Sequence, residues 1–163
     1  MGQRDRPYFI PRASRPVLPR DKKFVLIADA GREEEAALRL GRIGLDLVVG
    51  YVRGGLGALV KAAEPLTRTE RLTAKQLKKI LAAPGAPAVL DVRGAGERAQ
   101  NRIEGSAHVP LDQLEVRLRD VPRGPLVVHC AGGYRSMIAA SILERAGRQG
   151  VRDLEGGMAA WLA

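Results

Sequence analysis

The chain has a single cysteine, Cys130, and the residues around it are typical of a reactive thiol. The apolar run 126–129 predicts a buried strand that ends at the cysteine, and a helix is predicted to begin near Arg135. Between them, Gly132 and Gly133 allow the backbone to curl with its amides pointing inward. These amides, the positive end of the helix and the guanidinium would surround the sulfur. Such surroundings stabilise a thiolate nucleophile, and they also suit the anionic outer sulfur of a persulfide.

Cys130 and Arg135 are therefore the candidate catalytic residues, and Tyr134 at the rim of the loop is a candidate for substrate contact. A lone cysteine is often a small buried apolar residue, but here strand, glycine pair, arginine and helix start agree on an anion-binding loop. His129 is one residue away in the strand, so its side chain should point away from the cysteine into the core. His108 is also expected to be structural.

Composition limits the other possibilities. The chain has 163 residues with 45% hydrophobic content, enough for a core. One cysteine and two histidines are too few for an intramolecular disulfide framework or a closed zinc site. We also expect no metal or organic cofactor to be needed. The net charge is +9, but the arginines are scattered and aromatics are 4%, which favours a solvated basic surface that attracts small anions over a specific nucleic-acid site. Without a signal sequence or membrane span, a cytoplasmic location with no membrane contact is expected.

The order of elements predicts an α/β fold in four segments. Residues 1–23 are basic and hold four prolines, so they should form an extended arm. Residues 24–63 have the order strand, helix, strand, helix, typical of a parallel sheet, and begin with a predicted buried strand. Residues 64–72 are expected to be a linker. Residues 73–163 should form a second unit, a parallel sheet flanked by helices.

Three patterns define elements of the second unit. Thr73 and Gln76 form a capping box at the start of a helix. The apolar run 88–92 predicts a central strand. Apolar residues between 111 and 121 recur at helical spacing.

The first unit repeats part of the second. Residues 25–32, a helix and a Gly-Gly pair at 54–55 parallel the cysteine strand, its helix and the Gly-Gly pair at 156–157. In this comparison Asp29 takes the place of the cysteine, in a loop about two residues shorter. Without a thiol, and with acidic residues at 33–35, the first unit is expected to be inactive.

Residues 73–163 resemble a single-domain rhodanese. The resemblance rests on Leu90-Asp91-Val92-Arg93, Glu97, the segment 103–111, the cysteine with Arg135-Ser136, and Leu154 to Trp161. It implies that Cys130 accepts a sulfane sulfur from thiosulfate or a thiol persulfide and passes it to cyanide, a thiol or sulfite. It also implies that a substrate-binding cradle is formed by Ala131, Gly132, Gly133, Tyr134 and Ser136. The family often has Gly-His-Ile-Pro-Gly-Ala where this chain has residues 101–106, so no role is assigned to that segment.

Residues 28–45 resemble the inactive rhodanese-like repeat of fusions with a metallo-β-lactamase-fold persulfide dioxygenase. This resemblance implies a truncated inactive repeat before the active domain, and a persulfide dioxygenase domain as a partner that is missing from this chain.

Two alternatives to a sulfurtransferase stay open. Tyrosine and dual-specificity phosphatases and arsenate reductases also place a cysteine before an arginine, but the phosphatase pattern has five intervening residues, whereas four separate Cys130 from Arg135. The smaller ring matches a sulfur atom better than a phosphate. A non-enzymatic module, in which the cysteine senses redox state or the domain docks a protein, is the other alternative. The sequence leaves the physiological donor and acceptor open.

Overall fold

The computed structural model describes residues 21–63 and 68–163, and it divides the chain into two compact units between Thr67 and Arg68. The predicted arm, up to residue 20, and the first four residues of the predicted linker lie outside the described residues. None of the helices in the described ranges is long and apolar enough to cross a membrane.

The first unit has the predicted order of elements. Its strands and helices are β1 (Phe24–Leu26), α1 (Glu33–Gly41), β2 (Val48–Tyr51) and α2 (Gly55–Lys61). β1 and β2 pair in parallel, and α1 supplies the crossover connection that parallel neighbours need.

The expectation of a buried first strand is wrong. Val25 and Ile27 are 56% and 55% exposed. Within residues 21–63, β1 pairs with β2 alone and α1 packs against it, so side chains that alternate to the opposite face have no covering layer. An apolar run therefore identified the strand but not its degree of burial.

The second unit is an α/β sheet of parallel strands. Its elements are β3 (Glu70–Leu72), α3 (Ala74–Leu81), β4 (Ala88–Asp91), α4 (Ala95–Gln100), β5 (Ala107–His108), β6 (Leu126–His129), α5 (Tyr134–Arg145), β7 (Val151–Leu154) and α6 (Gly157–Leu162). Within residues 68–163, five strands lie in the order β3-β7-β6-β4-β5, and every pair is parallel. All carboxyl ends of the strands therefore meet at one edge, where open parallel sheets bind ligands.

Residues 70–72 form strand β3, so the prediction that they belong to the linker is wrong. The strand is three residues long and contains two charged residues, so it has no apolar alternation to reveal it. Its backbone pairs with β7, which makes it an edge strand, and Leu72 enters the core. The capping box that follows is confirmed: the Gln76 amide donates to Thr73 Oγ1, and the Thr73 amide donates to Gln76 Oε1 at 2.8 Å.

The core of the second unit surrounds β6, whose four residues are all buried as predicted. One cluster joins the sheet to α3 and α6 and contains Leu72, Leu77, Val89, Ile103, Val127, Leu154 and Met158. The segment 111–121 forms two 3-10 turns, Leu111–Gln113 and Leu118–Asp120, instead of a regular helix. Apolar residues three apart fit three residues per turn as well as 3.6, so their spacing could not distinguish the two.

Candidate active site

Cys130 directly follows β6 and is 1% exposed. Its sulfur accepts a hydrogen bond from the Gly133 amide, with N and Sγ 3.1 Å apart. Gly133 has φ of 92°, in the left-handed region, and is the residue before the first turn of α5. A residue with a β-carbon would be strained there, so the glycine allows the turn that aims this amide at the sulfur.

The backbone behind the sulfur is held by α6. The Met158 amide donates to the Cys130 carbonyl at 2.8 Å, and the Ala159 amide donates to the Ala131 carbonyl at 3.0 Å. This approach requires Gly157, because a β-carbon there would lie 2.4 Å from the Cys130 carbonyl oxygen. The second Gly-Gly pair of the sequence therefore positions the cysteine.

We expect Gly157→Ala to destabilise the protein by about 3 kcal/mol or more, because its β-carbon would clash with backbone and its φ is +57°. Urea denaturation measures the loss. The matched control is Gly124→Ala, which has φ of +82° but no described atom within 4 Å of the added carbon. The control should lose about 1 to 2 kcal/mol from backbone strain. Equal losses in the two variants would contradict the close approach of α6 to the cysteine.

The side chains around the sulfur come from the first turn of α5. Ser136 is fully buried, and its Oγ lies 3.6 Å from Cys130 Sγ. Tyr134 is 51% exposed and Gly132 is also exposed, so the open side of the loop lies at these two residues. Ala131 is half-buried. The structure thus groups all the predicted site residues around one buried sulfur with one open side.

Arg135 is bound to an acid that the sequence analysis did not place in the site. Its Nη1 and Nη2 donate to the two carboxylate oxygens of Glu97, at 2.7 and 2.6 Å. This pairing raises the pKa of Arg135, burial opposes the rise, and the charge of the Cys130 sulfur adds to it. The same pairing holds the pKa of Glu97 below its usual value against the effect of partial burial. Arg135 therefore lies between Glu97 and the sulfur, instead of pointing at the sulfur alone.

Two further charged groups lie behind the loop. Asp153 in β7 is fully buried, and Arg71 in β3 donates from Nε to its Oδ2 at 3.0 Å. A β-carbon added at Gly133 would lie 3.5 Å from Arg71 Nη2, so this guanidinium is beside the cysteine loop. The motif with Glu97 was a signal for that acid. Asp153 left no such signal, because its strand, β7, contains two charged residues. Arg71 gave none, because its strand was missed.

The end of β4 adds a buried ionic cluster next to the cysteine strand. Arg93 donates from Nη2 and Nε to the carboxylate of Asp91, and both residues are buried. Burial raises the pKa of Asp91, but the hydrogen bonds from Arg93 outweigh it and leave the pKa below its usual value. His129 is fully buried, and its Nε2 lies 3.8 Å from Asp91 Oδ2. Burial lowers the pKa of His129. Its position agrees with the core role expected for it. His108 Nε2 bonds to the Arg93 carbonyl at 2.8 Å.

We expect Asp91→Asn to destabilise the protein by about 3 to 5 kcal/mol at pH 7, because the buried Arg93 loses its counter-charge. The contribution of a carboxyl with a depressed pKa is complete above its unfolded pKa and is lost as pH falls through its folded pKa. The difference between the variant and the parent in urea denaturation should therefore shrink in acid. Glu104→Gln, at an exposed ion pair with Arg102, is the control and should leave stability unchanged. A small, pH-independent loss in the Asp91 variant would contradict this account.

The first unit has the backbone of the loop without its chemistry. A β-carbon at Gly55 would lie 2.3 Å from the Ala28 carbonyl oxygen, as one at Gly157 would from the Cys130 carbonyl. Gly31 has φ of +82°, three residues after Ala28, as Gly133 follows Cys130. Ala28, and not Asp29, is therefore the equivalent of the cysteine. α1 begins at Glu33, five residues after Ala28, whereas α5 begins at Tyr134, four residues after Cys130, so the first loop is one residue longer and not two residues shorter. The expected position of the cysteine equivalent and the expected loop length were both wrong. They came from comparing side chains, whereas the glycines show how the two backbones align.

Within residues 21–63 and 68–163, no group of three or more histidine, cysteine or acidic residues is arranged to hold a metal ion. The parallel sheet, the cysteine at its carboxyl edge and the turn into α5, whose Gly133 amide donates to the sulfur, define a class of α/β domains with a cysteine loop. A family model described as a rhodanese-like domain matches residues 73–163, which is more than half of the chain. The chain therefore belongs to the rhodanese-like family.

Individual relatives agree with this assignment. A sulfurtransferase of Allochromatium vinosum is 31% identical over 74 residues, which cover 45% of this chain and 69% of that protein. The crystal structure of a rhodanese-like domain protein from Staphylococcus aureus matches with a TM-score of 0.54 and 30% identity, covering 57% of this chain and 91% of that one. A human single-domain sulfurtransferase matches with a TM-score of 0.51 and 25% identity, covering 58% and 96%. The second unit thus belongs to a family that includes sulfurtransferases.

Proposed function

We propose that this protein is a sulfurtransferase that carries a sulfane sulfur as a persulfide on Cys130. The observation that carries the proposal is the buried sulfur with the Gly133 amide at 3.1 Å and the Ser136 hydroxyl at 3.6 Å, at the start of a helix. These donors and the helix end stabilise negative charge on sulfur. The relative from Allochromatium vinosum, which is named a sulfurtransferase, supports the same reaction class.

The reaction is a two-step cycle. The Cys130 thiolate attacks the outer sulfur of the donor, a new S–S bond forms, and the donor's own S–S bond breaks, so that sulfite or a thiolate leaves with the electron pair. An acceptor thiolate, cyanide or sulfite then attacks the outer sulfur of the persulfide and releases the Cys130 thiolate. Neither step needs a metal or an organic cofactor.

The charges of the site influence which sulfur donors it can bind. Arg135 offers a cation to an anionic donor such as thiosulfate, but Glu97 neutralises part of that charge. The exposed ring of Tyr134 adds apolar area at the open side of the loop, which suits the organic part of a thiol persulfide. We therefore propose small anionic sulfur donors of both kinds.

The first unit is proposed as a truncated, inactive rhodanese-like repeat, and residues 73–163 as the active domain. Alanine stands at the position of the nucleophile, and acidic residues open α1, so this loop would repel an anion. A cytoplasmic location and a persulfide dioxygenase partner remain predictions from the sequence.

Steady-state kinetics test the proposal. With thiosulfate and cyanide as substrates, the parent protein should form thiocyanate with the parallel double-reciprocal lines of a ping-pong mechanism. It should release no p-nitrophenol from p-nitrophenyl phosphate. Phosphatase activity without thiocyanate formation would favour the phosphatase alternative, and the absence of both activities would favour a sensing or docking module.

A further inference from the structure

Asp153 has an unusual environment for an acid. It lies in β7, paired with Val128 in β6, and its side chain is fully buried. Oδ2 accepts the hydrogen bond from Arg71 Nε, but Oδ1 has no hydrogen-bond partner among the described residues. A buried carboxylate oxygen without a partner costs about 1 to 3 kcal/mol or more, so the acid requires an explanation.

The acid lies on the same face of the sheet as the cysteine. Side chains alternate along a strand, so Val128 and Cys130 share a face, and the residue paired with Val128 shares it too. α5 packs against both β6 and β7, and it supplies Ser136. Burial raises the pKa of Asp153, whereas the hydroxyl of Ser136 and the guanidinium of Arg71 oppose the rise by stabilising its charge.

Ser136 Oγ lies 3.6 Å from the Cys130 sulfur, and the carboxylate of Asp153 lies on the same face of the sheet, where this hydroxyl lowers its pKa. A hydroxyl has only one proton to donate. When Cys130 is a thiolate, the full negative charge on Sγ attracts that proton. When Cys130 carries a persulfide, the charge lies on the outer sulfur, about 2 Å further out, and Sγ becomes a weak acceptor. The hydroxyl can then donate its hydrogen bond to Asp153.

We propose that Asp153 is a positioning residue that accepts a hydrogen bond from the Ser136 hydroxyl when Cys130 carries sulfur, and thereby favours the sulfur-loaded form. The inference rests on the proposed function. With thiosulfate, the S–S bond of the donor breaks, the Cys130–S–S⁻ bond forms and sulfite leaves, so no oxidant is needed.

The test is the loading equilibrium of the full chain in mixtures of thiosulfate and sulfite, measured by intact mass as the fraction of protein that carries one extra sulfur. In Asp153→Asn, the amide oxygen should stay on Arg71 and the amide NH2 should face Ser136. The hydroxyl can then donate only to Sγ, so the loading constant should fall about three- to tenfold, the value of one hydrogen bond. Asp153→Ala should also lower the loading constant, and this variant replaces Asp153→Asn in the test if the asparagine variant does not fold.

Two further variants separate a specific effect from a structural one. Glu155→Gln removes another carboxylate near Arg71, 3.8 Å from its Nη1, and should leave the constant unchanged. In a Ser136→Ala background, Asp153→Asn should have no further effect, because the shared hydroxyl is absent.

An unchanged constant in Asp153→Asn, or an effect that persists without Ser136, would overturn the inference while the sulfurtransferase proposal stands. A parent protein that carries no sulfur in any mixture would instead overturn the proposed function, and the inference with it.

Discussion

Cys130→Ser should abolish thiocyanate formation from thiosulfate and cyanide, with a loss on the order of a thousandfold or more. The hydroxyl is similar in size to the thiol and should fit the same buried position beside Gly133 and Ser136. However, it remains protonated at neutral pH and cannot form a persulfide. The measurement is the initial rate of thiocyanate formation at saturating thiosulfate.

The chain offers a simple control, because this is its only cysteine and any remaining thiol chemistry would have to come from outside the protein. Cys130→Ala should behave like the serine variant, which excludes an effect of the new hydroxyl. Thermal melting should show that both variants stay folded. Turnover in a folded serine variant above one part in a hundred of the parent rate would be incompatible with a covalent carrier at this position.

Arg135→Ala should lower kcat/KM for thiosulfate by about ten- to a hundredfold, which corresponds to the loss of one or two charge-assisted hydrogen bonds. The substitution removes the cation nearest the sulfur and also leaves Glu97 with an unbalanced negative charge in the site. Both changes disfavour a dianionic donor. Steady-state kinetics with thiosulfate as the varied substrate measure the loss.

Arg145→Ala is the matched control, since it removes an exposed arginine, paired with Glu115, from the last turn of the same helix. Its kinetics should equal those of the parent. Because part of the loss arises from the unpaired acid, Glu97→Gln should restore some activity to Arg135→Ala. If Arg135→Ala alone keeps the parent kcat/KM, then Arg135 has no part in donor binding and serves only to hold α4 and α5 together.

The sequence could predict the parts of the site that depend on neighbouring residues. An apolar strand, a glycine turn and a helix start lie within residues 126–136, so local backbone preferences determine this loop. Contacts between distant segments left weaker signals. Glu97 meets Arg135 across 38 positions, and Arg71 meets Asp153 across 82. Such pairs become visible only when the order of the strands is known.

The first unit illustrates the same limit. Its strands and helices follow from local patterns, and their order was confirmed. The equivalent of the cysteine was misplaced, because a comparison of side chains matched Asp29 to the nucleophile. The structure aligns the two loops through Gly55 and Gly157, whose close approach to the carbonyls of Ala28 and Cys130 is a property of the backbone. Short strands with charged residues, such as β3, were missed because their pairing depends on a partner strand elsewhere in the chain.

The most direct test of the account is the mass of the intact protein after incubation with thiosulfate and, separately, with glutathione persulfide. We predict a species heavier by one sulfur atom, with the added sulfur on the peptide that contains Cys130, and its disappearance when cyanide is added. An unchanged mass with both donors would contradict the claim that Cys130 carries sulfur.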